Sequence, residues 1–160
     1  MKNQEDNSRG EWYVLVQVLL LFAVLFAPEL EPERAIPAEP LVTAARIFGG
    51  ILCVTGLAFS FLGLLRLGKN LSIFPKPKND SELVESGAYA IVRHPIYCGL
   101  IAAAFGWSLF RWSLLALIVS AALVVLFDLK SRREEQWLES KFAEYAEYKQ
   151  RVKKLIPFIY

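Results

Sequence analysis

Residues 95–127 read PIYCGLIAAAFGWSLFRWSLLALIVSAALVVLF, and Arg111 is the single charged side chain among them. The sequence on each side of this arginine is apolar all round rather than along one stripe, which is typical of helices surrounded by lipid. A connection this short predicts a tight helical hairpin. The hairpin would bring Arg93, His94 and Tyr97 close to residues 128–135, although more than 30 residues separate the two groups along the chain.

Two more stretches, Trp12–Ala27 and Ile47–Leu65, also carry no charged residue. The 160 residues are 55% apolar and 21% charged, averages that suit a soluble domain, but the charges are confined to the segments between these stretches. A membrane span needs about 20 largely apolar residues. We therefore predict one domain over residues 1–160, an all-α integral membrane protein with about four transmembrane helices, near residues 12–28, 44–65, 94–110 and 112–128. A soluble bundle of buried helices is the alternative.

The basic residues predict the orientation in the membrane. Fifteen of the eighteen lysines and arginines fall in alternate segments: the N-terminal tail, the connection 66–93 and the residues from 128 onward. The positive-inside rule then places both termini and that connection in the cytoplasm. An uncleaved first span is favoured over a cleaved signal peptide, because Glu5, Asp6 and Glu11 precede it in place of a basic region.

Several classes of site are excluded by composition. His94 is the single histidine, so a histidine-rich zinc site is excluded, and we predict no metal site. Cys53 and Cys98 both lie in apolar stretches and are too few for a disulfide scaffold. A net charge of +2 gives no electrostatic footprint for nucleic acid, so we expect no nucleic-acid partner.

Glycines recur at intervals of seven in two of the apolar stretches. Gly49, Gly56 and Gly63 form one series, and Gly99 and Gly106 form another. Small residues on one helix face allow membrane helices to approach closely, so the spacing predicts a packing face. Chance spacing in a Gly- and Ala-rich stretch explains the pattern equally well.

Residues 81–99 form the first of two predicted cytosolic motifs. His94 precedes a proline and should be extended, while Pro95 suits the first turn of a helix. The free N–H groups of that turn, together with Arg93, would attract a carboxylate or phosphate. Ordinary interfacial anchoring of Arg93 and His94 is the alternative.

Residues 128–157 form the second motif. Apolar residues recur at spacings of three and four, which predicts an amphipathic helix lying on the cytosolic membrane surface and ended by Pro157; they are Leu138, Phe142, Tyr145, Tyr148, Val152 and Leu155. Glu134 and Glu135 are adjacent carboxylates near the predicted membrane boundary. A solvated run of charges is the alternative for this pair.

Taken together, the two motifs contain a specific combination of residues: Leu83-Val84, Gly87-x-Tyr89, Arg93-His94-Pro95-x-Tyr97-x-Gly99, Glu134-Glu135-x-x-Leu138 and Phe142-x-x-Tyr145-x-x-Tyr148. This combination resembles the isoprenylcysteine carboxyl methyltransferase family, which is related to the membrane phospholipid N-methyltransferases. The resemblance covers residues 81–159, about half of the chain. It implies methyl transfer from S-adenosylmethionine to a lipophilic, prenyl- or lipid-like acceptor at the cytosolic membrane face, with a carboxyl O-methyltransferase the leading interpretation.

The resemblance also implies roles for individual residues. Leu83 and Val84 would contact the adenosine and Glu134 the amino end of the cofactor, within a cofactor-binding set of Leu83, Val84, Tyr89, His94, Pro95, Ile96, Tyr97, Glu134 and Glu135. The implied catalytic residues are Arg93, His94 and Lys130, and the implied substrate-binding residues are Lys130 and Arg133. Lys130 stands where the family has a carboxylate-binding arginine. Lysine keeps the charge but lacks the bidentate fork.

Three other functions remain open on the sequence. The first is methylation of a phospholipid or another small lipophile at N, O or S. The second is an NADPH-dependent membrane reductase of the sterol type, which has a similar proline-tyrosine motif, although no extra basic cluster for a ribose phosphate is evident here. The third is a non-enzymatic membrane scaffold that uses the C-terminal segment as a docking helix.

Overall fold

The computed structural model describes residues 10–29, 39–72, 74 and 80–160, and within them the secondary structure is helical apart from one isolated β-bridge. The helices are α1 (Glu11–Phe26), α2 (Glu39–Leu67), α3 (Pro95–Phe110), α4 (Leu114–Lys141) and α5 (Tyr145–Arg151). Short 3₁₀ turns cover Gly68–Asn70 and Gly87–Ala90. The predicted all-α class is confirmed.

Each uncharged stretch of the sequence lies within one helix, except for one or two residues at the edge of a stretch. Helix α3 coincides with the uncharged stretch that precedes Arg111, and its first residue is Pro95 as expected. The segments Glu39–Asn70 and Leu114–Lys141 are long and apolar enough to cross a membrane, whereas α1 and α3 are apolar but have 16 residues each. The number of four transmembrane helices therefore stays a prediction.

Helices α2 and α3 pack along their glycines. A Cβ atom added at Gly49 would lie 2.6 Å from the Gly106 carbonyl oxygen, and one added at Gly56 would lie 2.7 Å from the backbone nitrogen of Ala103. Backbone therefore meets backbone with no space for a side chain, as expected for close helix packing. The seven-residue spacing is a packing face, which we call the glycine seam (Gly49, Gly56, Gly99 and Gly106).

The α3–α4 connection is the predicted tight hairpin. Residues 111–113 join the helices, and the Ser113 side chain caps α4 by accepting from the Ala116 backbone N–H at 3.2 Å. The Ser113 hydroxyl also donates to the Pro28 carbonyl at 2.6 Å, which ties in the chain just after α1. At the opposite end of the hairpin, the start of α3 and the charged half of α4 lie side by side.

The prediction of one continuous amphipathic helix in the C-terminal motif is wrong. Helix α4 ends at Lys141, Phe142 is extended, and the short helix α5 follows. The break lets the chain turn back, so that the Arg93 and His94 N–H groups donate to the carbonyls of Lys153 (2.8 Å) and Lys154 (3.1 Å). The apolar stripe is used internally, because Leu138, Phe142, Tyr145 and Tyr148 face a cavity rather than a membrane surface.

Candidate functional site

A cavity of about 260 Å³ lies at the end of the helices where the charged residues collect. The last turns of α2, the start of α3, the charged half of α4, residues 81–84 and α5 surround it. Nine of the twelve residues predicted for the site line this cavity: Leu83, Val84, Tyr89, Arg93, His94, Ile96, Tyr97, Lys130 and Glu134. The hairpin and the two motifs therefore converge on one place.

The other three predicted site residues do not line the cavity. Pro95 is buried in the first turn of α3, against Gly63 of α2. Glu135 lies behind the cavity wall, where Arg93 and His94 hold it. Arg133 stacks its guanidinium over the Trp137 ring, 4.9 Å from the centroid. The structure thus gives Pro95 and Glu135 no direct place against a cofactor, and Arg133 none against a substrate in this cavity.

The prediction missed several lining residues. Some come from the end of α2 and the following segment, and four come from the apolar stripe of the C-terminal motif; they are Leu64, Leu67, Asn70, Leu71, Ser72, Phe74, Ser81, Glu82, Leu138, Phe142, Tyr145 and Tyr148. Gln17 of α1 also lines the cavity. Gln17 could have been identified from the sequence, because it is the single side-chain amide in the stretch Trp12–Ala27.

Arg93 holds the wall of the cavity together. Its Nε and Nη2 atoms both lie 2.9 Å from Oε1 of Glu135, and Nη1 donates to the carbonyls of Lys149 (3.2 Å) and Val152. The side chains of Arg93 and Glu135 are both buried. All three guanidinium nitrogens therefore have partners in the protein. This occupancy favours positioning of the wall over the predicted direct binding of a carboxylate.

Glu134 faces the cavity from α4. The Tyr97 hydroxyl donates to its Oε2 atom at 2.9 Å, and His94 Nδ1 lies 3.7 Å from the same oxygen. The side chain keeps 27% of its exposure, and no lysine or arginine of the described chain forms an ion pair with it. A carboxylate held in this way is suited to bind a cation.

Lys130 faces the cavity one turn before Glu134, and only 3% of its surface is exposed. Its Nζ donates to Oε1 of Gln17 at 2.7 Å and lies 5.1 Å from the centroid of the Tyr97 ring. No carboxylate within the described ranges forms an ion pair with this ammonium. The cavity thus contains, on one helix, a carboxylate with no lysine or arginine partner and an ammonium with no carboxylate partner among the described residues.

Three further tyrosines, Tyr89, Tyr145 and Tyr148, line the cavity. Burial raises the pKa of Tyr89, Tyr145 and Tyr148 well above the ordinary value, so their hydroxyls remain protonated at neutral pH. The Tyr148 hydroxyl donates to the Tyr89 carbonyl at 2.7 Å. The Tyr145 hydroxyl is buried with no hydrogen-bond partner in the described structure, which leaves it available to a ligand.

These features define a class: a protein whose described residues are helical, with long apolar helices and a cavity at one end of them that carries charged side chains. The family model for phospholipid methyltransferases matches residues 44–145, more than half of the chain. The chain belongs to this family. The predicted resemblance to the isoprenylcysteine carboxyl methyltransferases is also confirmed by the similar proteins described next.

Two curated relatives and one solved structure illustrate the similarity. The protein-S-isoprenylcysteine O-methyltransferase of Saccharomyces cerevisiae is 31% identical over 157 residues, covering 95% of this chain and 66% of the yeast protein. The nickel-cobalt-cadmium resistance protein NccN of Alcaligenes xylosoxydans xylosoxydans is 24% identical over 149 residues, covering 92% of this chain and 63% of that protein.

The solved structure is that of a eukaryotic intramembrane Ras methyltransferase, an isoprenylcysteine carboxyl methyltransferase. It matches with a TM-score of 0.65 and 23% sequence identity, over 99% of this chain and 55% of that protein. This likeness shows that the two share a fold. The chain spans between about half and two thirds of the length of these relatives.

Proposed function

We propose that this chain is an integral membrane methyltransferase that transfers the methyl group of S-adenosylmethionine to the carboxylate of a prenyl- or lipid-like acceptor. The observation that carries the proposal is the pair of opposite charges in the cavity, which form no ion pair with each other. Glu134 offers a carboxylate for a cationic ligand group, and Lys130 offers an ammonium for an anionic one. A cationic methyl donor and an anionic acceptor need this pair of sites.

The residues present fit the cofactor. Glu134 suits its ammonium, and the aromatic faces at the cavity suit its positive sulfonium. Leu83 and Val84 would supply an apolar wall for the adenosine, and Tyr145, which lines the same cavity, has a hydroxyl without a hydrogen-bond partner among the described residues. When bound, the cofactor would supply an electrophilic methyl carbon. The role of the protein would be to orient the two ligands and to exclude water. A carboxylate acceptor needs no general base, because it is already ionised.

The membrane orientation follows from the charge pattern. The cavity is lined by the start of α3 and by the part of α4 that follows Asp128. These residues adjoin the sequence segments 66–93 and 128 onward, which are two of the three segments that contain fifteen of the eighteen lysines and arginines, and the positive-inside rule assigns those segments to the cytoplasm. We infer that four helices, α1 to α4, cross the bilayer with both termini in the cytoplasm. The acceptor would bring its apolar tail from the bilayer and its reactive end from the polar boundary.

A phospholipid or another lipophilic amine is the second candidate acceptor, favoured by the family's description. An amine must lose a proton before or during transfer, and His94 or Glu134 would be the base at this cavity. The buried ammonium of Lys130 favours the carboxylate, because it would repel a cationic headgroup.

Calorimetry on the purified chain in detergent tests the donor site. Glu134→Gln should weaken binding of S-adenosylmethionine by about tenfold or more, because a charge-assisted contact to the ammonium is lost. Glu139→Gln is the matched control: it makes the same change on α4 at a glutamate that pairs with Lys149 at the surface. NADPH should not bind. Unchanged affinity in Glu134→Gln would contradict the proposed function.

Labelled methyl transfer tests the acceptor. The chain should methylate a farnesylcysteine analogue with a free carboxylate, giving a base-labile methyl ester. Label that appears instead as a base-stable product on phosphatidylethanolamine would assign the amine acceptor. Label in neither product would exclude both acceptors.

A further inference from the structure

Gln17 is a polar side chain in the middle of helix α1, which carries no charged residue after Glu11. A polar group in such a helix is costly unless it is hydrogen-bonded, and in membrane helices it marks a functional position. Here its Oε1 accepts from Lys130 Nζ at 2.7 Å, and the side chain lines the cavity. Helix α1 precedes the residues 44–145 that match the family, so the family match says nothing about this contact.

Lys130 has two neighbours that fix its ammonium. Gln17 lies at hydrogen-bond distance, and the Tyr97 ring lies on another side. The ring itself is held firmly, because it stacks on Phe127 with centroids 4.7 Å apart and its hydroxyl donates to Glu134. Tyr97 therefore provides a fixed surface, and the amide of Gln17 decides where along that surface the ammonium lies.

A competing partner for Lys130 is close by. Glu134 lies four residues later on the same helix, the spacing at which lysine and glutamate side chains form ion pairs. Such a pair would neutralise both charged groups of the cavity, because the carboxylate would lose its site for a cation and the ammonium its site for an anion. In the structure the ammonium donates to Gln17 and forms no ion pair with Glu134.

We propose that Gln17 is a positioning residue that keeps Lys130 and Glu134 apart, so that Lys130 forms a separate subsite for the anionic end of the acceptor. This inference rests on the proposed function, because it assumes that Glu134 binds the ammonium of the methyl donor. It assigns α1 a direct part in the site.

The test uses the full chain in nanodiscs of phosphatidylcholine, with S-adenosylmethionine and a farnesylcysteine analogue as ligands. Gln17→Leu should weaken the affinity for S-adenosylmethionine and raise the acceptor KM, each by about tenfold, while kcat at saturation changes less. Gln136→Leu is the matched control, since this exposed glutamine on α4 contacts Arg133 outside the cavity.

A double variant separates positioning from a merely structural role. In Gln17→Leu/Lys130→Met, no ammonium remains to pair with Glu134, so affinity for S-adenosylmethionine should return to within about twofold of the native chain, while the acceptor KM stays high. Damage to the packing of α1 would not be repaired by a second substitution on α4. Unchanged affinity in the single variant, or no recovery in the double variant, would overturn the inference. Gln17→Ser replaces Gln17→Leu if the leucine variant does not fold.

Failure of the inference and failure of the proposed function give different results. A native chain that binds no S-adenosylmethionine contradicts the proposed function. In that case, binding of the analogue is compared with binding of its methyl ester, because the subsite requires a preference for the free acid that Gln17→Leu removes. A preference for the acid that survives Gln17→Leu, or no preference in the native chain, overturns the role of Gln17.

Discussion

The glycine seam and the cavity lie at two levels of the same helices, and they are specified in opposite ways. The seam depends on missing side chains, so that the backbones of α2 and α3 touch. The cavity depends on partners that are present, since Arg93 and His94 both form hydrogen bonds with Glu135, about 40 residues later in the sequence. The seam is therefore sensitive to an added atom, and the cavity is sensitive to a lost partner.

The largest expected effect on stability comes from removing a side-chain partner beside the cavity. Arg93→Met leaves Glu135 buried without its guanidinium and frees two backbone carbonyls, which should lower the free energy of unfolding by about 3–5 kcal/mol. Denaturant titration of the chain in detergent measures this loss. Arg132→Met removes the exposed partner of Asp128 and should cost much less, because water screens this ion pair. Equal losses in both variants would contradict the structural role given to Arg93.

An added methyl group tests the seam. Gly49→Ala places a Cβ atom 2.6 Å from backbone atoms of α3 and should lower the free energy of unfolding by about 1–3 kcal/mol. Gly50→Ala, one residue on, meets only the Phe110 ring at 3.6 Å, an ordinary contact. Because alanine also favours helix over glycine, Gly50→Ala should be neutral or stabilising. A loss as large at residue 50 as at residue 49 would contradict the seam.

The smallest expected effect separates two tyrosines of the cavity wall. Tyr148→Phe removes the hydrogen bond to the Tyr89 carbonyl and should cost about 1 kcal/mol of unfolding free energy. Tyr145→Phe removes a hydroxyl that has no partner in the described structure, so stability should hold while affinity for S-adenosylmethionine falls. Thermal denaturation and calorimetry on both variants check the pair. A larger loss of stability in Tyr145→Phe would reverse the assignment.

The helices and their hairpin were predictable because their signals are local. Arg111 alone separates two apolar stretches, so α3 and α4 had to turn back on each other. That geometry, with the motif residues, placed His94, Tyr97 and Glu134 together, and they do lie within contact distance.

Glu135 shows a limit of reasoning from a motif. It is adjacent to Glu134, and the resemblance places both carboxylates in the cofactor-binding set, although it gives only Glu134 a specific contact. On a helix, adjacent residues point about 100° apart, so only one of them can face a given cavity. Glu134 faces the cavity, while Glu135 faces Arg93. Choosing between them requires knowing which side of α4 meets α3.

Gln17 and the C-terminal stripe show a second limit. Periodicity indicates that Leu138, Tyr145 and Tyr148 share a face, but it does not say whether that face meets lipid or protein. Gln17 and Lys130 meet across 113 residues, a separation over which a single sequence carries no pairing signal. Both features depend on how the helices pack against one another once they have formed.

The glycine seam also limits the route by which the lipid tail of the proposed acceptor could reach the cavity. Where two backbones touch, no hydrocarbon chain can pass between them, so α2 and α3 act together as a continuous partition. The cavity is lined by residues of α1 and of α2 that are remote in sequence, Gln17 and Leu64. The apolar tail of the proposed acceptor would therefore have to go around the α2–α3 pair, and the same glycines that join these helices would exclude one route to the cavity.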